Sequence, residues 1–339
     1  MAVSISFTGA LNMAKGLTAS SLVAALALAS LSGASGNAIP SFAPSRAASR
    51  GGRAGGHPSG AGQSATARPP TEAEMTARAK VLLEHQHHNE EAMEQYERIE
   101  HHVDRSGGAA PRVLDDKTYR VVPTGTGTMK LLLKDGDRPV DPADYRKQLV
   151  AWQELLELML KPDDPRTKSA NAKWQKRKAD RSETMDAAVD GFVTKWAGQE
   201  TRNGRVCDVY ELQPNPNFHP RSLAQDVLTR VTAKIWVDRD ANQLLRGEAH
   251  VMRDISFGGG ILGKLYRGGV FYMEQEEVAP GIWEPMRYQY DYTARKFLFL
   301  FEEHQYIEAR QYRRLGPPQQ ALAIARQELA SGKATYGDP

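Results

Sequence analysis

At 339 residues the chain is long enough for one large domain or two small ones. Its 44 basic and 41 acidic residues leave a formal charge of +3, which gives no sign of a nucleic-acid binder. The single cysteine, Cys207, excludes an internal disulfide, and its apolar, strand-like surroundings predict a buried thiol.

The N-terminus carries an export signature. Lys15 precedes "GLTASSLVAALALASLSGASGNA", an uncharged run rich in small residues, in the order basic region, apolar region, small-residue exit. Met13 would serve as an alternative start, and cleavage after Ala34 or Ala38 satisfies the small-x-small rule, so residues 1–38 are assigned to a signal peptide. The apolar core at 17–31 falls short of the ~20 residues of a membrane span, although an uncleaved anchor is the alternative reading. No cysteine stands near the exit, so the mature N-terminus is not lipidated. Residues 39–70 contain no acid, four arginines and mostly Gly, Ser, Pro and Ala. Such a segment buries too little to offset its ordering entropy, and it reads as a flexible tether. A mature protein starting near Ile39 is expected in the periplasm or outside the cell.

From Thr71 the character changes. Thr71 and Glu74 form a capping-box pattern, and residues 71–106 read as one polar helix ended by "RSGGAAPR". "KTYRVVPTGTGTMKLLLKDG" reads as two strands with a turn near Thr124–Gly127. After Asp141-Pro142, the positions Leu149, Trp152, Leu155, Leu156 and Met159 mark the buried stripe of an amphipathic helix. Residues 166–186 are a polar, basic helix or an extended loop. The remainder is an antiparallel meander with strands near 188–200, 205–213, 229–238, 243–254, 265–278, 282–292 and 296–309. Asn203-Gly204 supplies the chemistry of a tight hairpin turn in it, and "FHPRSLAQDVL" a short helical insert. A folded domain over 107–313 and a C-terminal helix and tail over 314–339 complete the division.

Candidate chemistry is sparse. In "SFGGGILGKL", Gly258, Gly263 and Lys264 match the spacing of a phosphate loop, but Leu265 stands where the magnesium-binding hydroxyl belongs. A strand-like run follows instead of a helix, so the glycines are read as a bend in the sheet. His85, His87 and His88, with Glu84 and Glu91 on one helix and His101 and His102 beyond, have spacing that metal ligands use. They lack the HExxH pattern and read as a solvated face. Glu274, Glu276, Glu277, Glu302 and Glu303 near strand ends read as the wet side or edge of a sheet rather than paired acids. No catalytic residue, metal site or cofactor is assigned, and a hydrolase or metalloenzyme ranks last.

The strongest signal is apolar. Met286, Tyr288, Tyr290 and Tyr292 alternate onto one strand face, Phe297, Phe299 and Phe301 onto another opposed by Leu298 and Leu300, Phe271 and Met273 onto a third. Val231, Ala233, Ile235 and Val237 do the same in their own strand. A sheet with so wide an aromatic and Met-rich face covers it with its own helices or with a ligand.

"GQETRNGRVCDVYELQPNPNF", "AKIWVDRDANQLLRGEAHV" and "SFGGGILGKLYRGGVFYMEQEEVAPGIWEPMRYQY" together resemble the lipoprotein-carrier fold of the LolA, LolB and LppX group. Within them Asn203-Gly204-Arg205, Trp236-Val237-Asp238 and Gly281-Ile282-Trp283 carry the resemblance, which covers roughly 188–313. It implies a mainly β fold with helices (α+β), a half-open antiparallel β-barrel wrapped around plugging helices that include 141–160. It also implies a lipid or lipidated protein as cargo, a membrane-associated partner, and no chemistry. Met286, Tyr288, Tyr290, Phe297, Phe299 and Phe301 are then the expected ligand-binding residues, closed over by Trp152 and Leu156. A non-catalytic interaction or sensor module of the same fold with a filled core is the alternative.

Overall fold

The computed structural model describes residues 68–108, 110–257 and 263–331. The export signal, nearly all of the tether and Gly258–Leu262 of the glycine cluster lie outside the described residues. Helix α1 (Glu72–Met93) opens with the expected capping box: the Glu74 amide donates to the Thr71 hydroxyl at 3.3 Å, and the Thr71 amide to the Glu74 carboxylate at 2.6 Å. The expected helix over 71–106 stops there. Tyr96–Arg105 is strand β1, paired on both sides, so a domain boundary at 107 would cut through the sheet. Its spacing of Tyr96, Ile99 and Val103 imitates a helix because the polar Arg98, Glu100 and His102 stand between instead of alternating apolar residues.

Strands β2 (Val113–Pro123), β3 (Thr128–Asp135) and β4 (Arg138–Pro139) follow, with the turn at 124–127 as expected. Helix α2 (Pro142–Met159) is capped by Asp141, which accepts from the Ala143 amide at 2.8 Å, with Pro142 in its first turn. Residues 165–191 are fully helical as α3 (Pro165–Gly191). Then come β5 (Phe192–Arg202), β6 (Arg205–Pro214), the four-residue α4 (Leu223–Asp226), β7 (Val231–Asp238), β8 (Leu244–Val251), β9 (Ile255–Phe257), β10 (Gly263–Leu265), β11 (Val270–Ala279), β12 (Ile282–Lys296), β13 (Phe299–Arg314) and α5 (Pro318–Ala330). At the β5–β6 turn Asn203 and Gly204 take φ of 50° and 75°, the left-handed pair that a two-residue hairpin needs.

The strands form one antiparallel sheet in the order β4-β3-β2-β1-β13-β12-β11-β8-β7-β6-β5, with β9 and β10 attached to the end of β12. Its edge strands β4 and β5 do not pair with each other, so the sheet is an open half-barrel. Register assigns its faces. Ile235, Met273, Tyr288, Ile307 and His102 are linked directly or through Gly247 by cross-strand pairing and share the inner face. Helices α1 and α3 cover it: Ala79, Leu82, Met185 and Ala188 pack with Val231, Ala233, Ile235, Val237 and the inner residues of neighbouring strands.

Helices α2 and α5 do something else. They pack with Val122, Leu131 and Leu315 in a separate cluster. Arg120 pairs with Ile99 and so faces away from His102, and it reaches both helices. Its guanidinium, fully buried, donates to Glu97 at 2.7 Å, to Tyr145 of α2 at 3.1 Å and to Glu328 of α5 at 2.6 Å. The helix expected to plug the inner face therefore covers the opposite face at the β1–β4 end.

Candidate functional site: the inner face of the sheet

Along β12 the tyrosines sit two residues apart and point inward. Tyr288 and Tyr290 lie 6.2 Å apart, Phe271 of β11 stacks on Tyr292 at 5.6 Å and 20°, and Phe301 of β13 meets Tyr292 edge-on at 6.4 Å. These are the separations at which aromatic pairs attract beyond simple burial. Exposure grows along the strip: Met273 and Tyr288 are buried, while Tyr290, Tyr292 and Phe301 are half-buried. Burial, and next the neighbouring Tyr288, hold the Tyr290 hydroxyl well above the usual phenol range. Burial and Glu303, to which its hydroxyl donates, do the same for Tyr292.

Deeper in, the face turns polar. Arg98 Nε donates to Glu100 at 2.7 Å, and His102 lies 2.7 Å from the other Glu100 oxygen, three side chains spaced by two along β1. Burial opposes the ionised form of Glu100, yet Arg98 and the bond to His102 hold its carboxyl well below the usual carboxylate range. Glu284 is the converse case. It is fully buried, neither oxygen has a hydrogen-bond partner, and burial pushes its carboxyl up to about 8, with Arg98 drawing it down and Glu90 of α1 pushing it further up. Gln86 Nε2, Arg98 Nη1 and Gln275 Oε1 are also buried without a partner. Donors and acceptors left unmatched in this way suit a polar guest or buried water.

Helix α1 closes this region through few apolar contacts. Its buried residues are Ala79, Leu82, Gln86 and Asn89. Asn89 accepts from the Trp283 amide at 3.1 Å and donates to Gln243 at 3.0 Å, and Arg78 pairs with Asp208 at 2.5 Å. The helix is tied down by directed polar bonds more than by packing.

Of the expected ligand-binding residues, Tyr288, Tyr290 and Phe301 come together on the inner face. Trp152 and Leu156 do not join them, because they are buried in the α2–α5 cluster on the other side. Trp152 donates from its indole to the Pro123 carbonyl at 3.0 Å. Met286 is skipped in the β11–β12 register, where Glu274 pairs with Arg287 and Gln275 with Pro285. This bulge removes it from the alternation, and it is not packed with the inner cluster. Phe297 and Phe299 are exposed, since the strand run expected to begin at 296 is a turn there: Phe297 has φ of 53°. Arg98 and Glu284 are absent from the sequence expectation. Once β1 is a strand, the i, i+2, i+4 spacing of Arg98, Glu100 and His102 is the signal that marks Arg98, whereas no such signal marks Glu284.

The other motifs resolve plainly. Gly263–Leu265 is a strand, Lys264 pairs with Asp254 at 2.7 Å, and no helix follows, so the phosphate-loop likeness is coincidental. His85 bonds the Asn242 carbonyl and His87 pairs with Asp186, while His101 and His102 belong to β1. Among the described residues no three His, Cys, Asp or Glu side chains are placed to hold a metal. Glu274 pairs with Arg287 at 2.8 Å and Glu277 with Arg205 at 3.4 Å, as a charged outer side requires. Cys207 is buried and free, and burial pushes its thiol up to about 11.

No protein-family model and no curated protein matches the chain. In the solved structures it is similar to an outer membrane lipoprotein-sorting protein domain of Vibrio parahaemolyticus, with 8% identity and a TM-score of 0.31 over 73% of this chain and 99% of that one. It is similar to a LolA superfamily protein of Nitrosomonas europaea, with 12% identity and a TM-score of 0.29 over 72% and 96%. It is also similar to a DUF1329 family protein of Desulfovibrio piger, with 11% identity and a TM-score of 0.25 over 69% and 92% of the two chains.

Proposed function

We propose that this chain is an exported, non-catalytic binding protein that holds a lipid or acyl moiety between the inner face of its half-barrel and helix α1. The observation that carries the reading is the aromatic strip Tyr288–Tyr290–Tyr292 with Phe271, apolar and increasingly exposed toward one end, in one cluster with helix α1, whose polar bonds fasten it at the other end of the strands. Such a helix can lift at modest cost, and soft, large side chains adapt to chains of different length. The signal-like N-terminus fits delivery to the periplasm, and no helix among the described residues is long and apolar enough to cross a membrane.

Native mass spectrometry of the gently extracted protein tests this reading. Acyl-bearing species should co-purify, and Tyr290→Ala should change which acyl lengths are retained. If the wild type carries no such species, and Tyr290→Ala only lowers stability by the roughly 3–5 kcal/mol of an aromatic truncation in a closed core, the face is a filled core and the carrier reading fails.

A further inference from the structure

A row of paired residues runs across one end of the sheet: Val231 with Val251, His250 with Val270, Val270 with Asp291, Asp291 with His304, and His304 with Arg105. Beyond it β12 and β13 continue through five more pairs, from Tyr292–Glu303 to Lys296–Phe299, flanked only by the three-residue β10 on β12 and by β9 beyond it. At ~3.4 Å per residue the hairpin reaches ~17 Å past the row. Its tip is the most exposed apolar segment among the described residues: Leu298 is 87% exposed, Phe299 77% and Leu300 64%. Isolated exposed apolar residues need no explanation, but four in succession at the end of a projection do.

Two observations identify the occupant. First, the tip is apolar on both sides. Phe299 and Phe301 lie on the side of Tyr292, Leu300 on the other, so a groove in a protein partner would leave one side wet, whereas a bilayer surrounds both. Second, cations flank the tip. Arg295 and Lys296 pair with Leu300 and Phe299 beside the turn, the acids Glu302 and Glu303 stand behind them, and a cleft of about 660 Å³ lined by Arg230, Met252, Arg253, Asp254, Tyr266 and Arg267 opens at the same end. The Tyr266 amide bonds the Thr293 carbonyl of the hairpin at 3.0 Å, which ties cleft and projection together. An apolar tip flanked by Arg295 and Lys296, with an arginine-bearing cleft at the same end, matches the acyl layer and phosphate headgroups of an anionic membrane.

We propose that the β12–β13 hairpin seats the protein on an anionic lipid bilayer, its tip in the acyl region and the arginine-lined cleft against the headgroup phosphates. The inner-face aromatic strip then continues through Phe301 into the membrane-facing tip. The seating itself is independent of whether the inner face holds lipid.

The test is co-sedimentation of the full chain with vesicles of phosphatidylcholine alone or with added phosphatidylglycerol. Binding should require the anionic lipid and fall with salt. The triple variant Leu298→Ser, Phe299→Ser, Leu300→Ser, altered only at exposed positions, should bind at least tenfold more weakly while its circular dichroism and its retained acyl species stay unchanged. Arg253→Glu with Arg267→Glu should abolish the preference for phosphatidylglycerol. The indole introduced by Leu298→Trp should be quenched by brominated lipid. Wild-type binding by the triple variant overturns the proposal. So does an indole emission that shifts with protein concentration in the absence of vesicles, which would assign the tip to a second copy of the chain.

Discussion

Glu284 is a carboxyl kept dry without a hydrogen bond, and its pH behaviour follows from that. In the unfolded chain it ionises near the ordinary 4.5, while in the folded protein it keeps its proton until about 8. Between those values the native state binds more protons than the unfolded state, so the group removes stability as pH rises through the window and adds nothing further above it. Glu284→Gln, which has the same shape and no proton to lose, should gain on the wild type by up to ~1.4 kcal/mol per pH unit across the window. Urea unfolding at pH 5, 6, 7 and 8 measures the gap, and parallel curves for the two proteins would contradict the assignment. This residue was not foreseeable from its neighbours: Trp283-Glu284-Pro285 reads as an ordinary strand opening, and only the approach of α1 and β1 dries it. Cys207 is the opposite case, since the strand-like run around it, with Val209 two residues on, foretold burial directly.

Among the elements, α1 is the one held most lightly. Thr71 closes its first turn, and replacing it by Ala should cost ~1 kcal/mol of helix stability. Because α1 fully buries just Ala79 and Leu82 as apolar groups, with Met75 and Leu83 partly buried beside them, that loss should appear as faster amide exchange confined to 72–93, with β7 and β8 unchanged. Exchange that rises equally across the sheet would mean that α1 is part of the global cooperative unit. Long periodic elements were readable: α2 has its stripe at Leu149, Trp152 and Leu156, and the strands from β5 to β8 keep their alternation. β1 was not readable, because Glu97, Arg98 and Glu100 are buried only by virtue of partners over 20 or over 200 residues away, such as Arg120 and Arg313, or on the same strand. The β12–β13 turn was misread for a local reason. Phe297 to Phe301 alternates like a buried strand, and nothing in the pattern marks that Phe297 adopts a left-handed backbone and reverses the chain.

The whole molecule is a sheet with helices on both sides at different places, and this decides what distant mutations do. Trp152 lies with α2 and α5, away from the tyrosines of β12. Trp152→Ala should therefore cost roughly 3–5 kcal/mol of stability yet leave the spectrum of bound acyl species unchanged, whereas Tyr290→Ala should alter that spectrum. Thermal melts paired with native mass spectrometry separate the two, and a change in bound species for Trp152→Ala would show that the clusters communicate. The sequence pattern marked both residues as buried. Which side of the sheet each belongs to depends on register across β1, β2 and β13, a property of pairing between segments remote in the chain.

That remoteness has a consequence for how the protein comes into being. The first strand of the sheet, β1, lies between β2 and the last, with Tyr96 opposite Arg314. Until β13 has left the ribosome, the four strands β1–β4 that follow α1 can form only a small flap, and the β5–β12 meander lacks the neighbour that joins it to them. Contacts of such long sequence separation form slowly. The chain thus stays incompletely folded throughout its synthesis, and one cut short before Phe299 lacks the strand that joins its two halves.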